Sequence, residues 1–123
     1  MRKFASSIEG MALLVISVGA VYFVAYTVYS DFKATKQRTL FYQLQILRMG
    51  VNIYQLLNHR NPGNLDELVT KTFRLPGDLN ERRFVDGIAV DPDGRVFDPF
   101  GNPFFYDPLS GWVRSTTNNY EFW

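Results

Sequence analysis

The chain has no cysteine and a single histidine, His59. Without thiols it can form neither a disulfide nor a thiolate metal site, and it suits an oxidising or a reducing compartment equally. Proline is missing from the whole first half, since all six prolines fall after residue 61. Charge is missing from residues 10–30. An excess of either sign is absent too: thirteen Lys and Arg stand against twelve Asp and Glu. With no basic patch interleaved with aromatics, there is no nucleic-acid footprint. A phosphate-binding glycine loop, zinc-ligand spacing and a nucleophile elbow are all lacking. The sequence therefore argues against an enzyme by offering no set of groups that could act together. His59, with no Ser or Cys nucleophile motif beside it, reads as a solvated helix-end residue rather than a catalytic base.

The uncharged run is what the sequence does contain. It follows a carboxylate, Glu9, and reaches Ser30. About 20 apolar residues cross a bilayer core of ~30 Å as a helix, so this run suffices. A cleaved secretory signal is the rival reading, but its apolar core is about 7–15 residues long and ends at a small-residue cleavage site. Here Tyr22, Phe23, Tyr26 and Tyr29 crowd the far end. They read as an aromatic belt at a membrane interface. A retained single-pass anchor in membrane lipid is expected. Arg2 and Lys3 precede the span, and Lys33, Lys36 and Arg38 follow it. Counting positive charges slightly favours an outside N-terminus. A charge at the edge of an apolar span is costly unless paired, which singles out Glu9.

Beyond the span, Leu40, Leu44, Leu47, Val51 and Tyr54 are spaced by 4, 3, 4 and 3 residues. That spacing puts them on one helix face, and the stripe is expected to pack on its own domain. Without proline, one helix can run from about residue 8 to Asn58, where Asn61-Pro62-Gly63 stops it. Asn64 and Glu67 form a capping-box variant that opens a short helix to about Thr72. From Phe84 on, β-prone pieces alternate with Asp-Pro turns that carry a later glycine. They predict a three- or four-stranded antiparallel meander laid on the amphipathic helix. The expected fold is α+β: a long N-terminal helix, transmembrane in its first half and amphipathic in its second, packed on a small antiparallel sheet. The divisions are a leader-like segment 1–10, a transmembrane helix 11–30, its amphipathic continuation 31–60 and a small globular head 61–123.

Five aspartates, Asp86, Asp91, Asp93, Asp98 and Asp107, cluster in sequence. Asp91, Asp93 and Asp98 are calcium candidates, because oxygen-rich loops hold that ion. The fragment lacks the further carboxylates and closing Glu of a calcium loop, and an Asp before proline serves equally as the first residue of a turn. Trp112, Tyr120, Phe122 and Trp123 can fold onto the sheet or make a subunit contact. Folding is the expectation, since large aromatics usually find burial.

Three stretches resemble the type IV pilin-like filament subunits, most closely the major pseudopilin of type II secretion. Ile8-Glu9 before an apolar helix resembles the pilin N-terminus. Tyr54 through Pro62, followed by Leu65-Asp-Glu-Leu-Val69, resembles the family's helix exit. Asp98-Pro-Phe-Gly-Asn-Pro-Phe-Phe-Tyr106 is similar to the family motif Asp-Pro-aromatic-Gly-Asn-Pro-aromatic-x-Tyr. The resemblance implies a bacterial inner-membrane anchor with its head in the periplasm or in an extracellular filament. It implies copies of itself or other pilin-like subunits as partners, together with secretion or pilus assembly machinery, and it makes Glu9 an assembly residue. Alignment on Glu9 puts Phe4 where the family has glycine and Ala5 at the mature first position, so an implied processing site falls there. The family's mid-span proline is absent, and its calcium loop is not recognisable after residue 115. The alternative is a non-polymerising membrane-anchored accessory protein with a pilin-like periplasmic head.

Overall fold

The computed structural model describes the backbone of residues 2–123 and the side chains of residues 7–123. One helix, α1, spans Arg2–Asn58. It has no helix breaker, since the first proline comes four residues after its end. It ends where His59 takes a positive φ of 54° and donates its N–H to Gln55 O at 2.8 Å. That is a left-handed C-terminal cap, usually filled by glycine or asparagine.

The chain divides into two compact units, one ending at Thr35 and one spanning Lys36–Trp123. In the first, α1 is long and apolar enough to cross a membrane, and none of its most apolar window is buried. Two of its hydroxyls bond back to the helix: Ser17 Oγ donates to Leu13 O at 2.7 Å and Thr27 Oγ1 to Val24 O at 2.9 Å. Such back-bonding lets hydroxyls sit in an apolar helix without open hydrogen-bond demand.

In the second unit the predicted stripe is the spine of the core. Leu40, Leu44 and Leu47 are fully buried, and Val51 and Tyr54 nearly so. Each such aliphatic side chain contributes about 1.5–3 kcal/mol on leaving water. They meet Leu65, Leu68, Phe84, Val85, Ile88, Val96, Phe104, Val113 and Tyr120 in one cluster. Gly50 permits the closest approach: a Cβ there would stand 2.4 Å from Val85 Cγ2 and 3.3 Å from Phe84 O. Its missing side chain is what seats residues 84–85. Among the described residues, Gln43 Oε1 is buried without a hydrogen-bond partner.

A short helix, α2, spans Asp66–Thr70. Asn64 Oδ1 accepts from Glu67 N at 3.0 Å, the expected capping contact. Strands β1 (Thr72–Phe73) and β2 (Arg82–Arg83) form one antiparallel pair, and β3 (Phe105–Asp107) and β4 (Trp112–Arg114) form another. The layout is α+β, but the antiparallel structure is two separate pairs rather than one meander. Stretches 87–90 and 95–97 supply only the isolated bridges Val90↔Val96 and Phe97↔Pro103. Turn spacing is the reason. Asp91 and Asp98 open successive turns seven positions apart, so only Val96 and Phe97 are left between them to pair.

The two turns are copies of one design. Asp91 N donates to Arg95 O at 3.0 Å and Asp98 N to Asn102 O at 2.8 Å. Gly94 N and Gly101 N return to the aspartate carbonyls at 2.9 and 3.0 Å. The glycines have φ of 81° and 86°, a region that is costly for any side chain. Proline fixes the second position of each turn and the aspartate carboxylate bonds the backbone ahead of it.

Candidate functional site

Glu9 lies in α1 at the N-terminal border of the apolar run and is exposed. Among the described residues it has no ion-pair partner. The side chains of Phe4 and Ala5, the implied processing site, lie outside the described residues. From Met11 to Phe32 the helix presents its large apolar side chains to the outside; Leu13, Ile16, Val21 and Phe23 are each more than half exposed. A surface of that extent needs lipid or other helices to cover it.

The three calcium candidates are not brought together. Asp91 Oδ1 accepts from Arg95 N at 2.7 Å, and Asp93 faces Arg95 Nη2 at 3.4 Å with both side chains exposed. Asp98 is buried. Its Oδ1 accepts from Phe100 N at 2.9 Å and Asn102 N at 2.8 Å, and its Oδ2 accepts from the Thr117 hydroxyl. Asn102 Nδ2 donates to the same Thr117 oxygen at 2.8 Å. The carboxylate is thus satisfied by protein donors and serves as the hub that ties the turn to the C-terminal segment. No cluster of three or more His, Asp or Glu suited to a metal ion occurs among the described residues.

The rest of the resembling motif is also structural. The Tyr106 hydroxyl donates to Pro62 O at 2.7 Å, and burial together with the Asp107 charge pushes its pKa up to about 12. It therefore stays a donor throughout the physiological range. Asn61 Nδ2 donates to Pro108 O at 3.0 Å and Leu109 O at 3.1 Å. The helix exit is held against the β3–β4 hairpin through both contacts. The Ser110 hydroxyl, and after it the Leu109 N–H, hold the Asp107 carboxyl below its ordinary range.

The C-terminal aromatics divide. Tyr120 is buried, stacks on Phe100 at 5.4 Å and accepts from Gln37 Nε2. Trp123 packs edge-on to Tyr120 and Phe41 yet keeps 40% of its surface exposed, so it folds onto the head only in part. Phe122 is 96% exposed and Trp112 57%, so the expectation of folding is corrected for these two. Both stand on positions whose neighbours already fill the core, Val113 beside Trp112 and Tyr120 near Phe122. Arg48 makes a contact that the sequence does not single out. It donates through Nε and Nη2 to Val113 O at 3.1 and 3.0 Å and lies 5.4 Å from the Trp112 ring. A long-range partner of this kind leaves no local signal in the sequence.

No family model, curated protein or solved structure matches the chain.

Proposed function

We propose that the chain is a membrane-anchored structural subunit that associates with copies of itself through its N-terminal helix. The particular reading is a pilin-like subunit of the kind represented by the major pseudopilin of type II secretion, anchored in a bacterial inner membrane with a periplasmic head. The observation that carries it is an apolar helix exposed over its span, with the carboxylate of Glu9 at its N-terminal border and Asp31 at the other, on a chain whose core is complete without that helix segment. The Asp98–Tyr106 motif and the Tyr106–Pro62 contact support the family resemblance of the head. In a helix-packed or lipid interior an uncompensated carboxylate is expensive. An ammonium group of a neighbouring subunit beside Glu9 would offset that cost and set the axial register.

The test is Glu9→Leu in membranes, read by alkaline extraction for insertion and by crosslinking for self-association. Insertion is expected to stay intact while oligomers fall at least tenfold. Crosslinked ladders equal to those of the unaltered chain would sink the assembly role. A second reading, an accessory protein that does not polymerise, is favoured by Phe4 standing where the family has glycine. It predicts that the unaltered chain forms no ladder at all.

A further inference from the structure

Below the C-terminal turn of α1, a concavity of about 610 Å³ is lined by Arg60, Lys71 and Arg74, with Thr72, Tyr54 and Phe73 beside them. Its wall carries no carboxylate, and two stand at its rim: Glu67 beside Lys71, and Glu81, which accepts from the Thr72 hydroxyl at 3.1 Å. The three cations differ in how they are held. Lys71 is engaged, with its Nζ 2.6 Å from Glu67 Oε2, which also accepts from Tyr54 OH at 2.9 Å. Arg74 is held loosely, at 3.7 Å from Glu81, and both side chains are more than half exposed. Pairs so exposed contribute little and exchange readily. Arg60 has no ion-pair partner among the described residues. The carbonyls ending α1 attract Arg60 as the negative pole of the helix. That turn does not depend on it, because His59 N and Asn58 Nδ2 already bond Gln55 O and Tyr54 O.

We propose that this concavity binds a phosphoryl group that displaces Glu81, gripped by Arg60 and Arg74, with the Thr72 hydroxyl, which otherwise donates to Glu81 Oε2 at 3.1 Å, turned to the ligand. An incoming carboxylate would only exchange Glu81 for its equal in charge. A phosphoryl group brings more than one negative charge and three acceptor oxygens. The planar guanidinium fork matches those oxygens in pairs. The group can come from a soluble phosphate compound or from a phospholipid headgroup. The proposal stands independently of filament assembly.

The experiment uses the full chain in phosphatidylcholine nanodiscs. One arm titrates it with pyrophosphate by calorimetry. The other mixes it with phosphatidylcholine vesicles containing or lacking phosphatidic acid and follows flotation. Pyrophosphate binding assigns a soluble ligand, and capture by the phosphatidic acid vesicles alone assigns a headgroup. Each arginine is expected to matter about tenfold, since hydrogen bonds between charged partners are the strong ones. The double variant Arg60→Gln, Arg74→Gln should therefore lose about a hundredfold. Arg38→Gln should bind as the unaltered chain does. Should the double variant unfold, the amide-shift map of the unaltered chain decides, with changes expected at Thr72 and Phe73. Binding by neither probe, equal binding by a polyglutamate peptide, or a shift map centred elsewhere would overturn the proposal.

Discussion

Asp98 shows how much one side chain carries. Its carboxylate closes its own turn through Phe100 N and Asn102 N and reaches nineteen positions along the chain to the Thr117 hydroxyl. Asp98→Ala leaves three donors without that acceptor, one of them buried and two half-buried. A loss of about 2–4 kcal/mol is expected, on the order of one or two orphaned buried groups. Urea titration of the detergent-solubilised chain measures it, and Asp98→Asn should recover part of the loss by keeping one acceptor oxygen. An alanine variant as stable as the parent would mean that the backbone alone holds the turn. The role of Asp98 as a turn opener was legible, because Asp-Pro with a later glycine has a local mechanism. Its hold on Thr117 was not, since nothing in the local sequence couples positions so far apart. Phe122 and Trp112 depart from expectation for a related reason: side-chain size says that a residue favours burial, but not whether the core still has room.

At the scale of elements, α2 and the end of α1 are coupled by charge. Glu67 Oε2 lies 2.6 Å from Lys71 Nζ, and the same oxygen accepts from the Tyr54 hydroxyl at 2.9 Å. The Lys71 hydrogen bond, followed by the one from Tyr54, holds the Glu67 carboxyl below its ordinary 4.5 against an opposing burial effect. The hydrogen bond to Glu67 also raises Lys71 above its ordinary 10.5. For the lowered carboxyl, the stabilisation is present above the unfolded value and lost as pH falls through the folded one. For the raised amine, it is present below the unfolded value and lost as pH rises through the folded one. Glu67→Gln should therefore flatten the decline of thermal stability below pH 4.5 and leave a smaller difference from the parent at the acid end. Melting curves taken across the acid range check this; an unchanged acid slope would remove Glu67 from the account. The capping pattern at Asn64 and Glu67 was readable in advance. The β1–β2 pair was not, because two-residue strands flanking Pro76-Gly77 leave no alternation to detect.

At the scale of the molecule, every buried apolar core residue among the described residues lies at or beyond Leu40, inside the Lys36–Trp123 unit. A chain beginning at Lys36 should therefore fold alone, stay in solution without detergent and unfold in one cooperative step. Circular dichroism and denaturant titration test this, and a molten product without a sharp transition would show that the first unit is needed. The α+β layout and the unbroken helix were legible from the absence of proline before residue 62 and from the leucine stripe. The division of the strands was not, because it depends on how many residues successive turns leave free.

The vacancy at Gly50 also bears on force. Residues 84–85 sit within a methyl's width of that backbone, so α1 is keyed to the head like a shaft to its hub. Turning residues 36–58 against residues 84–85 would therefore have to part this contact first.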